Sequence, residues 1–312
     1  MTVDVELLAT MSASEVREFF RTSEVLEITT LVRDASDEQL ARLIEIDHFR
    51  AEGVAAILDR FPEFADTGRL GDIEGVVRFD LAHRKKKHAE CHTARFAAGS
   101  VSLEPDAEPE VTISADLLDF VRLVTGQSNA ALLYLGGRLG IDGHAMLALA
   151  VGSVFTVPGS GVAAVDPTSL DPVDVATAVA TTSGKHMRSV MEGDFRPIVL
   201  EEVFRRFPEF IDTGKASGLE LTVGFRIGGR LDGEVDRYVV HVRDGACTVE
   251  TDPPEGQRRD ATITIDGADF LRLALGQLHP VRGVLTGSLK VKGDRAKALA
   301  LNAVMVPPQP RL

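Results

Sequence analysis

Tryptophan is absent from the 312 residues, and tyrosine and cysteine occur twice each. Cys91 and Cys247 lie far apart and outside any CxxC spacing, which leaves no basis for a disulfide framework or a zinc cluster and suits a reducing, cytoplasmic setting. Positive charge is also short. Against 47 Asp and Glu stand 34 Lys and Arg, a formal net charge of −13 that disfavours nucleic acid as a partner. The first residues carry Asp4, Glu6 and Glu15 before any basic residue and no long apolar core, unlike a secretory leader. Only Ala145 to Val165 is free of charge for about the length of a bilayer crossing. Val157-Pro158-Gly159-Ser160-Gly161 breaks that run with turn chemistry, so the expectation is a buried helix followed by a linker. Catalytic signatures are missing as well. There is no GxSxG elbow, and Leu135-Gly136-Gly137 lacks the Lys-Ser/Thr of a phosphate loop, so neither catalytic residues nor a cofactor are expected.

What the chain does have is an internal repeat. Arg60-Phe61-Pro62-Glu63-Phe64 recurs as Arg206-Phe207-Pro208-Glu209-Phe210, and Asp66-Thr67-Gly68 as Asp212-Thr213-Gly214, at a constant offset of 146 that Val77/Val223 and Phe79/Phe225 keep. Further on the offset is 150, pairing Asp119-Phe120 with Asp269-Phe270, Gly126-Gln127 with Gly276-Gln277 and Ala148-Leu149-Ala150 with Ala298-Leu299-Ala300. Four extra residues therefore enter the second copy, in the polar, proline-bearing stretch between Glu250 and Ala261 where a surface loop tolerates them. The reading is a first domain over 1–158, a Gly/Ser/Pro-bearing linker over 159–171 and a second domain over 172–312. With 44% apolar and 26% charged residues, each half has the composition and length of a globular domain.

The periods predict the elements. Ser36-Asp37-Glu38-Gln39 reads as a capping box, and Val54 to Leu58 as part of a helix that ends before Pro62. Leu221, Val223, Phe225 and Ile227 alternate with polar residues and Gly, Tyr238, Val240 and Val242 continue the pattern, and Asp244-Gly245 marks a tight turn. Thr262 to Ile265 adds a strand. Asp266 then caps a helix whose apolar face is expected to hold Phe270, Leu271, Ala274, Leu275 and Leu278. Leu289 and Val291 form a last strand before a helix from Asp294. Helices, strands, helix, strand, helix is an α+β order.

The run from Ala261 to Val304, with its Thr/Ile strand, the Asp269-Phe270-Leu271 helix start, Gly276, His279-Pro280, Gly287-Ser288-Leu289-Lys290-Val291 and Gly293, resembles the sterol carrier protein type-two family. The first copy resembles it more distantly, with Gly137-Arg138-Leu139-Gly140-Ile141 as the last strand and no Pro opposite Pro280. The lead-in from Ala35 to Phe64 looks like the extensions on bacterial members. The resemblance implies a twisted, mainly antiparallel sheet covered by helices in each domain. It also implies an apolar tunnel for a sterol, fatty acid or acyl-CoA, closed by the C-terminal helix, with Asn302 as a polar amide near its opening. It places the lipid against Phe270, Leu271, Ala274, Leu275, Leu278, Leu285, Leu289, Val291, Leu299, Leu301 and Met305. The first-copy counterparts are Phe120, Val121, Val124, Leu135, Leu139, Ile141, Leu149 and Phe155. Each of these, taken alone, also fits a plain core.

His83, His88 and His92 with Glu90 and Cys91 form the densest group of potential ligands, and on a strand His88, Glu90 and His92 would share a face. The second copy has Glu234, Asp236 and Tyr238 in place of the last three, so the scaffold needs no metal there. Solvated hairpin, acidic-lipid contact and metal are the readings weighed. The expected function is non-catalytic binding and transfer of an apolar lipid, with no metal and no cofactor. Transient contact with a membrane or enzyme goes with it, and the oligomeric state is open. The rival is an accessory or protein-interaction module on the same fold, with filled cores.

Overall fold

The computed structural model describes residues 5–83, 90–154, 170–254 and 256–311, and the chain divides into two compact units, Met1–Asp166 and Pro167–Leu312. Most of the expected linker, 159–169, lies outside the described residues, as does Arg84 to Lys87.

The first unit opens with helices α1 (Val5–Leu8), α2 (Ala13–Thr22), α3 (Val25–Asp34), α4 (Asp37–Ile44) and α5 (Asp47–Asp59), then two single turns, α6 (Phe61–Phe64) and α7 (Thr67–Leu70). Ser36 does cap α4, accepting from the Gln39 amide while the Gln39 side chain returns to the Ser36 amide. These helices bury Leu8, Val16, Phe20, Ile28 and Leu43 in a cluster of their own. Strands β1 (Gly75–Ala82), β2 (Glu90–Ala97), β3 (Ser100–Leu103) and β4 (Val111–Asp116) follow, then α8 (Leu117–Val124), α9 (Ala130–Leu135), β5 (Leu139–Gly143) and α10 (Ala145–Ser153). The sheet order is β3-β2-β1-β4-β5, antiparallel except for the central β1/β4 pair.

In the second unit a shorter lead-in, α11 (Pro172–Thr181), α12 (Gly184–Glu192) and α13 (Arg196–Arg206), runs into a 3-10 turn over Phe207–Phe210. Strands β6 (Glu220–Gly228), β7 (Asp236–Arg243), β8 (Ala246–Thr251) and β9 (Ala261–Asp266) precede α14 (Gly267–Ala274), α15 (Pro280–Thr286), β10 (Leu289–Gly293) and α16 (Arg295–Val304). The sheet order β10-β9-β6-β7-β8, with β6/β9 its one parallel pair, repeats the first sheet element for element. Asp244 and Gly245, both at positive φ, make the tight β7–β8 turn. The four extra residues sit in the β8–β9 connection.

The duplication reaches individual contacts. Phe79 meets Phe120 at 5.6 Å between ring centroids, as Phe225 meets Phe270 at 5.8 Å. Arg50 is buried and bonds Glu90 at the start of β2 at 2.8 Å, and Arg196 is buried and bonds Asp236 at the start of β7 at 2.7 Å. The amide of Asp66 donates to the Val154 carbonyl at 2.7 Å, as that of Asp212 does to Val304 at 2.8 Å. Each copy thus ties its entry helix to the second strand and its last helix to the turn before the sheet.

Candidate binding cavity in the second repeat

The sheet of the second unit does not meet its helices everywhere. A cavity of about 710 Å³ opens between them, within the range of about 300 to 1,000 Å³ usual for small-molecule sites. Phe225 and Ile263 come from the middle strands, Leu289 and Val291 from β10, and Phe270, Leu273 and Ala274 from one face of α14. Val281, Val284 and Leu285 of α15 and Ala298, Leu299, Leu301 and Met305 around α16 complete the apolar wall. Behind it stands an aromatic floor. Phe204 stacks on Phe270 at 5.1 Å and on Tyr238 at 3.7 Å between centroids, and Phe207 packs edge-on to Phe225 at 6.0 Å. Burial pushes the Tyr238 hydroxyl up to about 12, so the floor stays uncharged. The polar members of the lining, His279, Lys290, Arg295 and Asn302, are all exposed, and none of the lining residues is Asp or Glu.

The repeats differ in side-chain size at two positions here. Gly283 is the one buried residue of α15, where a Cβ would come within 3.2 Å of the Leu289 Cβ. Its first-repeat counterpart is Leu133, a buried core residue, and opposite Ala274 stands Val124, equally buried. Of the two, Ala274 is on the cavity wall, whereas Gly283 lets α15 pack close on β10.

Eight of the eleven second-repeat residues expected at the site lie on this wall: Phe270, Ala274, Leu285, Leu289, Val291, Leu299, Leu301 and Met305. Leu271, Leu275 and Leu278 do not, which corrects the expected helical face. α14 ends at Ala274, where Gly276 takes φ +72°, its amide donates to Leu273 and the Gln277 amide to Arg272, a Schellman stop. Leu278 is therefore off the helix, near Gly283. Leu271 and Leu275 are buried on the flank next to the one that carries Phe270, Leu273 and Ala274. Phe207, Phe225, Ile263, Leu273, Val281 and Val284 are on the wall without having been singled out for it. On the wall itself, the readable difference between the repeats is Ala274 where the first has Val124.

The first-repeat set sits in or against the core. Phe120, Val124 and Leu139 are buried in it, Ile141 packs on it, Leu135 is buried and Leu149 half-buried. Val121 is wedged between the sheet core and the N-terminal helix cluster, so it faces protein on both sides. Phe155 lies outside the described residues.

Of the histidine group, His83 and His92 are among the described residues. The His83 side chain is 2% exposed, with Nε2 3.9 Å from the Glu90 carboxylate, so it is not part of a solvated hairpin. Glu90 is held by Arg50, and His92 is half-buried with its pKa lowered by that burial. His88 lies outside the described residues. Among the described residues, no three His, Cys, Asp or Glu side chains are grouped as a metal site would need, and no helix is long and apolar enough to cross a membrane.

The paired sheets and cavity agree with what sequence comparison finds: residues 54–156 and 204–306 each match the SCP-2 sterol transfer family. The chain belongs to that family. Both SCP-2 repeats begin within the last helix of their lead-ins, α5 and α13, and end just past the helix that follows the edge strand. The chain is similar to sterol carrier protein 2 of Homo sapiens, 30% identical over 84 residues, which cover 27% of this chain and 15% of that one. It is similar to non-specific lipid-transfer protein-like 1 of Caenorhabditis elegans, 27% identical over 107 residues, 34% of this chain and 88% of that one. Hydroxysteroid dehydrogenase-like protein 2 of Xenopus tropicalis is 23% identical over 106 residues, 34% of this chain and 24% of that one. The chain thus spans less than a quarter of the length of the human and frog relatives.

Proposed function

We propose that the second SCP-2 repeat binds one apolar lipid in the α14–α16 cavity and passes it on unchanged, without catalysis. The observation that carries this is the wall itself: otherwise apolar and aromatic, without a carboxylate, and polar only where His279, Lys290, Arg295 and Asn302 stand in solvent. Removing apolar surface from water there is worth about 25 cal/mol per Å², so an acyl chain or sterol body is driven in while its polar end stays with the cations and the amide. Fatty acid, acyl-CoA and sterol all have that form, and the names of two relatives, a sterol carrier and a non-specific lipid-transfer protein, are in keeping with it. The frog relative's dehydrogenase-like name goes with a chain mostly outside the matched segment. No bond need form or break for binding and release.

Ala274→Trp tests the site. An indole on the wall fills space the ligand needs, and because the added atoms enter a cavity the fold should be spared most of the usual cost of overpacking, about 1 to 3 kcal/mol. Displacement of a fluorescent fatty acid should weaken at least about tenfold, and lipid co-purifying with the wild type should be missing from native mass spectra of the variant. Unchanged binding by a folded variant would place the ligand elsewhere. The reading as a filled accessory module is favoured for the first repeat, where Leu133 and Val124 occupy the corresponding positions.

A further inference from the structure

From the surroundings of the cavity mouth we infer that α15 and the edge strand β10 form a docking face for an anionic lipid bilayer, an inference that rests on the proposed lipid site. Six large apolar side chains of the second unit are exposed, and Val281, Val284, Leu285 and Leu299 among them line the cavity; Val306 follows directly on Met305. Val281, Val284 and Leu285 share one face of α15 at i, i+3 and i+4, at the rim of the cavity, where all three are also exposed, Leu285 to 82%. A seven-residue helix that presents its apolar side to water has its partner outside the chain.

Charge says which partner. Residues 278–310 hold five cations, Arg282, Lys290, Lys292, Arg295 and Lys297, against the single acid Asp294, in a chain whose net charge is −13. Asp294 is occupied as the cap of α16, accepting from the Ala296 and Lys297 amides at 2.8 and 3.2 Å. Lys297 donates to the Glu220 carbonyl. Arg282, Lys290, Lys292 and Arg295 are exposed, and no described residue gives any of them a side-chain hydrogen bond or ion pair. An exposed apolar helix that carries Arg282, with further free cations on the neighbouring β10 and α16, matches a bilayer with negative headgroups, and it puts the cavity mouth at the bilayer surface.

The first repeat is the internal control. None of the six residues of α9 is exposed, against five of seven in α15. The counterparts of Arg282, Lys290, Lys292, Arg295 and Lys297 are Leu132, Gly140, Asp142, Ala145 and Leu147. Lysines on an edge strand also discourage edge-to-edge pairing. Yet β5, the matching edge, carries Asp142 and no lysine, so edge protection does not require the charge to be positive.

The test is flotation of the full chain with vesicles of phosphatidylcholine alone or mixed with phosphatidylglycerol. Wild type should bind only the mixed vesicles and be released by high salt. Each cation lost near such a surface weakens binding about fivefold, so Arg282→Glu with Lys292→Glu should cost at least about tenfold. Leu285→Ser, at a side chain with no core contact to lose, should weaken binding to the mixed vesicles at low salt without changing the net charge. Lys185→Glu with Arg188→Glu on α12 makes the same charge change away from the face and should leave binding near wild type. Equal loss in that control, or no wild-type binding to the mixed vesicles, overturns the proposal. So does a wild-type dimer that Leu285→Ser dissolves, since the face would then belong to a second copy. Native mass spectra separate the two claims: lipid retained without vesicle binding ends the docking face and leaves the lipid site standing, whereas vesicle binding by a lipid-free protein does the reverse.

Discussion

Gly293 ends β10 at φ +93°, a region side chains avoid, and a Cβ there would come 2.5 Å from the Asp260 carbonyl oxygen. Gly143 holds the same place in the first repeat, at φ +104°, against the Glu110 carbonyl. Both close approaches let the residue after the edge strand turn back, so that Asp294 and His144 donate their amides to those same carbonyls at 2.8 and 2.9 Å. Gly293→Ala therefore strains the backbone and pushes the start of α16 away from β9. A loss of about 2 kcal/mol or more is expected in urea titration, above the roughly 0.5 to 1 kcal/mol that Gly→Ala yields at a permissive site and opposite in sign. An alanine variant as stable as wild type would show that the turn relaxes freely.

At the scale of elements, the two repeats are pinned by the same device. Arg196 donates to Asp236, to the Met191 carbonyl and to the carbonyls of Ile227 and Gly228, so one guanidinium joins α12, α13, β6 and β7. Arg196→Ala leaves those acceptors unpaired in a buried place and should destabilise the second unit by about 3 kcal/mol. Because Arg50 secures the first unit separately, unfolding of the variant should split into two steps, with only the earlier one shifted. A single, unshifted transition would count against the pin. The Arg50/Arg196 and Glu90/Asp236 correspondences were legible at the offset of 146, as were the strands, whose alternation survives in Leu221 to Ile227. The end of α14 was legible too, in Gly276-Gln277, but apolar periodicity through Leu278 outweighed it. The cavity was not legible in the same way. It is bounded by residues from the lead-in turn, three strands and three helices, and periodicity within one element does not tell how far that element stands from the next. α16, expected to close the site, is tied at its ends by Asp294 to Asp260 and by Val306 to Phe210, both at 2.8 Å. That leaves α15, with one buried residue, as the wall best able to move aside.

For the whole molecule, the question is whether two SCP-2 repeats act as one binding unit or as two unlike domains. Every described strand pairing stays within its own sheet, and each unit has its own buried centre, Val77, Phe79 and Phe120 in one, Val223, Phe225 and Phe270 in the other. Units that share no sheet and bury their own cores meet the conditions for folding alone. Fragments 1–166 and 167–312, cut where the units divide, should each show native secondary structure by circular dichroism and a cooperative melt. Failure of either fragment to fold while the full chain melts in one step would mean that the repeats depend on each other. Binding should then divide unequally. In the second fragment the α14–α16 cavity is open, and a fluorescent fatty acid should saturate at one equivalent. In the first, Leu133 and Val124 are buried at the same positions and every α9 residue is buried or half-buried, so no saturable uptake is expected. Equal uptake by a folded 1–166 fragment would mean that those side chains swing aside for a ligand, and that duplication here gave two carriers and not a carrier joined to a packed partner.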